Sequence, residues 1–199
     1  MNRPDVIAFD LMDTVVVDPF LPTLARFGDD AGLLRQSLDA SAWIDFELGL
    51  IDEPVFLARL LRRPAPRAEF TAEALRDSIL GGYGFVEGME TLLEELRPLG
   101  VRLWVLSNYP SWAERVTKQL ELDRFFEGYV FSYRIAARKP DAAAYRELCR
   151  LAGATADRCL LVDDRLANVD GARRLGMPGV HFEGAGALRR ELAALGIFR

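Results

Sequence analysis

The sequence predicts an α/β fold: a Rossmann-like parallel sheet with an all-helical insertion after its first strand. Three observations carry this. From residue 87 onward, short apolar runs of strand length alternate with helical segments, the pattern of a parallel sheet with crossover helices on both faces. One isolated apolar run, Val6–Phe9, stands far upstream of that series. The stretch between them, residues 18 to 84, has helical spacing, abundant Leu and Ala, and no strand signature.

Val6–Phe9 reads as a buried strand that delivers Asp10 into a loop. The insertion reads as three or four short helices, broken at Gly28, Gly32, Gly49 and Pro64–Pro66, and Gly81, Gly82 and Gly84 mark the return of the chain. The expected domains are therefore a core of residues 1–17 and 85–199 and a helical domain of residues 18–84. Met89–Leu96 is a predicted helix and Val101–Leu106 a strand. Ser111–Leu120 is a helix with Ser111 as N-cap and Trp112 on its buried face. Tyr129–Ser132 is a strand, Asp141–Leu151 a helix and Cys159–Val162 a strand. Ala167–Leu175 is a helix stopped by Gly176, Gly179–Phe182 is a strand, and Ala187–Leu195 is the last helix.

The chain has 199 residues, is 50% apolar and 28% charged, and carries a net charge of −5. It can bury a core, and its charge argues against nucleic acid or an anionic membrane as partner. Its apolar runs are too short to span a bilayer, and the first ten residues lack a signal-peptide layout, so a cytoplasmic location is expected. Cys149 and Cys159 form no CxxC and are expected to be buried free thiols.

Ligands of a parallel sheet bind beyond the C-terminal ends of its strands. Polar clusters fall at or just past such ends: Asp10–Thr14, Ser107–Asn108, Arg138–Lys139 and Asp163–Asp164. Basic residues are almost all arginine, and the only lysines are Lys118, on a polar helix face, and Lys139.

In order and spacing, VIAFDLMDTVV, LWVLSN, ARKPDAAAY and LLVDDRLANVDGARRLGM resemble the haloacid dehalogenase-like (HAD) hydrolase superfamily, and WIDFELGLID resembles a segment of its small helical cap. The resemblance implies a Mg²⁺-dependent phosphatase acting on a small phosphorylated molecule through an aspartyl intermediate on Asp10. It implies Mg²⁺ held by Asp10, Asp164 and the backbone carbonyl of Met12, with hard oxygen donors suited to that ion. Ser107 and the backbone N–H of Asn108 would hold phosphate oxygens, Thr14 would orient the first loop, and Lys139 would neutralise charge. The logic is electrostatic: a carboxylate is a poor nucleophile toward a dianionic phosphate unless cations screen the repulsion.

Two adjacent positions depart from the family pattern. Where its phosphatases carry an acid/base Asp, this chain has Met12, and loss of general acid–base catalysis typically costs about 10²–10⁴-fold in rate. Asp13 stands where the family has Gly and is expected to hydrogen-bond within the turn. The branch that cleaves phosphorus–carbon bonds needs a cap lysine, and residues 18–84 contain none. The 2-haloacid dehalogenases also lack the second acid, but they carry small polar residues in place of Asp163–Asp164. The phosphatase reading therefore leads, ahead of a weakly active or non-catalytic phosphate-ligand binder, and then a 2-haloacid dehalogenase.

Other residues have open roles in the sequence. Asp163 could orient its loop or touch metal. Asn168 could bind a metal-bound water or cap a helix. Arg138 and Arg165 read as ion-paired or solvated, and His181 as a core residue. Trp43, Phe46 and Phe56 read as the core of the insertion. That insertion is expected to lie over Asp10 and to move about Val16–Pro19 and Gly81–Gly84.

Overall fold

A computed structural model describes residues 3–26, 38–61 and 71–198. The predicted breaks at Gly28, Gly32 and Pro64–Pro66 lie outside the described residues. Five parallel strands form one sheet in the order β3-β2-β1-β4-β5: β1 (Val6–Phe9), β2 (Arg102–Ser107), β3 (Gly128–Phe131), β4 (Cys159–Asp163) and β5 (Gly179–His181). Every residue of β1 is buried, which is why its sequence is an unbroken apolar run. Side chains then sort by the period of two. Ile7, Phe9, Leu103, Val105, Leu160 and Val162 share one core, whereas Val6, Ala8, Trp104, Leu106, Cys159 and Leu161 share the other.

The insertion contributes α1 (Phe20–Ala25), α2 (Ala40–Glu47), α3 (Glu53–Leu60) and α4 (Ala72–Leu80). Asp39, Asp52 and Thr71 cap the last three, each accepting from a backbone N–H two or three residues on. The core continues with α5 (Met89–Leu96), α6 (Ala113–Gln119), α7 (Ser132–Ile135), α8 (Ala142–Ala152), α9 (Leu166–Arg174) and α10 (Ala185–Ala194). Met89, Leu92, Leu93 and Leu96 are the buried stripe of α5, spaced as one helical face requires. No helix among the described residues is long and apolar enough to cross a membrane.

The insertion is tied to the core at both ends. Val17 N donates to Gly84 O at 2.9 Å and Val86 N to Val15 O at 3.0 Å, so entry and exit run side by side. On its far side, Ser132 Oγ donates to Glu47 O at 2.5 Å, and Trp112 Nε1 to Glu53 Oε2 at 2.9 Å. Gly49 sits at φ +70°, and a Cβ there would lie 2.3 Å from the carbonyl oxygen of Tyr133. Only glycine fits both that backbone conformation and that approach.

Two local expectations fail. Ser111 is not an N-cap: α6 starts at Ala113 with Trp112 in the cap position and no side-chain cap bond. Trp112 is 1% exposed and packs edge-on against Phe46 and Phe56, so burial of the indole sets where the helix begins. Ser132, expected in a strand, opens the short helix α7, where its hydroxyl serves the insertion. The remaining boundaries differ from expectation by a residue or two.

Candidate active site

The central strand ends at Phe9, level with Val105 of β2 and Val162 of β4, and the next residue is Asp10. Its N–H donates to Val162 O at 2.8 Å, so the sheet ladder continues through the residue that carries the carboxylate. The flanking strands end at Ser107 and Asp163, which sets all three side chains along one edge. The chain leaves β1 for β2 and β3 on one side, then returns to β4 and β5 on the other. That reversal opens the crevice in which such sheets bind ligands.

Lys139 reaches this edge from the loop after α7. Its side chain is wholly buried, with Nζ 2.7 Å from Asp10 Oδ1 and 2.5 Å from Asp163 Oδ2. Asn108 holds it there: Asn108 Nδ2 donates to Lys139 O at 2.9 Å and accepts Lys139 N–H at its Oδ1 at 2.8 Å. Asp163 is already occupied. Besides Lys139 it accepts from Arg165 N and Asn168 Nδ2, both at 2.9 Å, which favours the loop-orienting role over metal contact. Asn168 lies inside α9 rather than at its cap, and its Nδ2 donates to Asp163.

Three clustered carboxylates share one buried ammonium. Burial pushes the Asp10 carboxyl up to about 6 even though Lys139 pulls the other way, and Asp163 and Asp164 add to the rise. Burial alone would lower the Lys139 ammonium, but the Asp10 and Asp163 carboxylates outweigh it and raise it. Asp164 is half-buried and also raised, by burial first and then by Asp163 and Asp13. One carboxylate oxygen from each of Asp10, Asp163 and Asp164 lies within 4.8 Å of the others. His181 is partly exposed rather than in the core, and its Nε2 lies 2.8 Å from the carbonyl oxygen of Asp164, fixing that residue's backbone.

Two hydroxyls at the strand ends have no protein partner. Ser107 Oγ and Thr14 Oγ1 are buried, at 2% and 0% residue exposure, and neither makes a hydrogen bond. A buried hydroxyl left so costs about 1–3 kcal/mol and can be satisfied by water, an ion or a ligand. Asp13 behaves as expected: its φ is +54° and its Oδ1 accepts Asp18 N–H at 2.9 Å across the turn. Met12 packs against the apolar core.

The family model for haloacid dehalogenase-like hydrolases matches residues 4–176. This chain belongs to that family. Among relatives of the hydrolase, flavin mononucleotide hydrolase 1 of Arabidopsis thaliana is 33% identical over 193 residues, which cover 96% of this chain and 78% of that protein. The glyceraldehyde 3-phosphate phosphatase of Pyrococcus abyssi is 30% identical over 198 residues, covering 89% of this chain and 81% of that protein. A HAD family enzyme from Bacteroides thetaiotaomicron, solved with magnesium and inorganic phosphate, superimposes at a TM-score of 0.74 with 16% identity, covering 92% of this chain and 96% of that one.

The insertion and the core border a partly open cavity of about 450 Å³, lined chiefly by apolar and aromatic side chains including Trp43, Ile44, Phe56, Leu75 and Tyr109, with Arg138 also in its wall; Asp10, Ser107, Lys139 and Asp164 do not line it. Arg138 also lines a smaller hollow shared with Lys139, Arg165 and Asn168, so one residue borders both spaces. Phe46 and Phe56 stack at 4.6 Å and are the expected core of the insertion, but Trp43 is only partly buried and helps to line the cavity. Arg138 is ion-paired, as one of its expected roles had it, and its partner is Glu47 at 3.1 Å. Tyr109 did not stand out in the sequence, and Glu47 did so only as the acid of WIDFELGLID, the segment that resembles the helical cap, with no role assigned to it.

Proposed function

We propose that this hydrolase is a Mg²⁺-dependent phosphatase that cleaves a small phosphomonoester with a largely apolar organic part, through an aspartyl phosphate on Asp10. One observation carries the reading: Lys139 bridges Asp10 and Asp163, and Ser107 at the end of β2 and Thr14 in the loop after Asp10 carry buried hydroxyls that have no partner. That arrangement supports an anion at this edge, with Ser107, Thr14 and the Lys139 ammonium as its contacts. Asp10 would attack phosphorus from the floor of the site, and Asp163 and Asn108 would hold the lysine in position. The backbone N–H of Asn108 would add a donor beside Ser107.

The donor set fits Mg²⁺. Asp163 is committed to Lys139 and Asn168, which leaves Asp10 and Asp164, helped by the Met12 carbonyl, as hard oxygen donors for an ion that keeps several waters. When bound, the ion supplies positive charge that offsets the repulsion between Asp10 and a phosphate.

Relatives aligned over nearly the whole chain are named for the hydrolysis of phosphate esters, which favours turnover over a silent binder. The apolar cavity supports an organic group of appreciable size, since 300–1,000 Å³ is the usual range for small-molecule sites. In this reading residues 18–84 act as a cap over the core formed by 1–17 and 85–199, and Val16–Pro19 and Gly81–Gly84 flex on a microsecond-to-millisecond scale. The test is phosphate release from flavin mononucleotide, prenyl, aryl and short polar phosphate esters, and halide release from 2-haloacids, each with Mg²⁺ and with chelator. Expected is Mg²⁺-dependent phosphate release that favours the apolar and aromatic esters. Metal-independent halide release without phosphate release would replace the phosphatase reading with the dehalogenase one.

A further inference from the structure

We infer that Glu47, carried by the insertion, is the proton donor to the leaving group and then the base for water, the work that Met12 cannot do. This rests on the phosphatase reading above. Met12 has no proton to give, and the Asp13 carboxylate is exposed and held in its turn by Asp18 N–H. Glu47, the last residue of α2, is a buried carboxylate on the insertion that faces Arg138, the neighbour of Lys139.

Its placement is specific. Glu47 is 4% exposed, and its Oε2 lies 3.1 Å from Arg138 Nη2 without the alignment of a hydrogen bond. Arg138 immediately precedes Lys139, whose ammonium touches Asp10. The charged groups that act on the Glu47 carboxylate are Arg138, Arg165, Asp10 and Lys139, and it acts in turn on Tyr109. The backbone is fixed as well, because Ser132 Oγ bonds Glu47 O and Gly49 packs on the Tyr133 carbonyl. A carboxylate taken out of water and left with an unaligned partner is a poor stabiliser. It is a suitable acid, because burial lifts its carboxyl to about 7 against the pull of Arg138 and Arg165, so both protonation states are accessible at neutral pH.

The step balances. A carboxylate oxygen of Asp10 bonds phosphorus while the bond from phosphorus to the ester oxygen breaks. That oxygen takes the Glu47 proton and departs as the alcohol, and Arg138 stabilises the carboxylate left behind. Water then attacks the aspartyl phosphate and gives its proton to Glu47. The bond between Asp10 and phosphorus breaks, releasing inorganic phosphate and restoring both residues.

The experiment compares wild type, Glu47→Gln and Arg138→Gln on an alkyl phosphate and on p-nitrophenyl phosphate, whose leaving group needs no proton. In Glu47→Gln, alkyl-phosphate hydrolysis should fall by about 10²-fold or more. The first turnover of p-nitrophenyl phosphate should persist as a burst, with aspartyl phosphate accumulating because water is no longer activated. Adding Met12→Asp to Glu47→Gln should recover alkyl-phosphate turnover. Arg138→Gln should raise the p-nitrophenyl to alkyl ratio in the same direction as Glu47→Gln but by less, because the carboxylate left after proton transfer loses its partner. Equal losses on both substrates without a burst, or no loss at all, would overturn the inference while wild-type turnover keeps the phosphatase reading intact. Absence of ester hydrolysis by wild type would overturn that reading and this inference with it. Should Glu47→Gln fail to fold, as thermal melting would show, Glu47→Asp serves in its place, with an expected rise in the p-nitrophenyl to alkyl ratio and an unchanged ratio counting against the role.

Discussion

Lys139→Met isolates the electrostatics of the site, because methionine keeps the volume and apolar stem while removing the ammonium. Two ion pairs are lost, at 2.7 Å to Asp10 and 2.5 Å to Asp163, between side chains no more than 10% exposed. Breaking a buried pair from one side costs about 3–5 kcal/mol, since the remaining charge stays in place without compensation. Here two carboxylates remain, within 4.8 Å of each other and of Asp164, so metal-free protein at neutral pH should lose stability in that range. The loss should depend on pH. Without the ammonium, the folded-state carboxyl value rises further above the unfolded value of 3.8. A carboxyl raised in the native state contributes stability below its unfolded value and loses it as pH climbs through its folded value, so acid should narrow the gap to wild type by up to about 1.4 kcal/mol for each unit of added shift. Mg²⁺ should narrow it too, by replacing the missing positive charge. The assay is urea unfolding with chelator at neutral and mildly acidic pH, repeated with Mg²⁺. A deficit under about 1 kcal/mol, or one indifferent to pH, would refute the view that the ammonium compensates these carboxylates.

Three further outcomes follow from the same geometry. Asp164→Ala should greatly weaken Mg²⁺ binding in calorimetry; equal affinity in both proteins would remove Asp164 from the ion's ligands. Gly171→Ala, although a favourable change in an ordinary helix, would set a Cβ 2.6 Å from Tyr145 Oη and 3.0 Å from Pro140 O, so thermal melting should show a loss of about 1–3 kcal/mol, and a gain would show that the loop carrying Lys139 yields freely. Glu47 has a raised carboxyl value, about 7 against 4.5, so its contribution to stability is complete below 4.5 and lost above 7; metal-free wild type should therefore lose about 3 kcal/mol relative to Glu47→Gln across that span, and parallel stability curves would show the carboxylate to be solvated.

The sequence by itself determined the sheet and the floor of the site. Strand length, the unbroken apolar run of β1, the acid that follows β1 and the acid that ends β4 are local features, set by a period of two and by what can be buried. Asp10, Ser107 and Asp163 were legible for that reason, since a residue at the end of a parallel strand has its position set by the strand. The turn chemistry of Asp13 was legible on the same short range.

Tertiary structure alone decided who meets whom. Lys139 reaches Asp10 across 129 residues because the Asn108 side chain hooks its backbone, and the same contact turns Asn108 into a support for the lysine. His181 looked like a core residue in an apolar strand, but β5 is an edge strand, which leaves the ring partly exposed and able to hold the Asp164 backbone. Ser111 looked like a cap, yet burial of Trp112 between two phenylalanines set the helix start. Glu47 was visible only as part of the cap-like segment, because its contacts with Arg138 and Ser132 join residues more than 80 positions apart. Periodicity and turn preference act over a few residues and can be read along the chain. Burial and charge pairing depend on segments far apart in sequence, and they exist only once the helices close over the sheet.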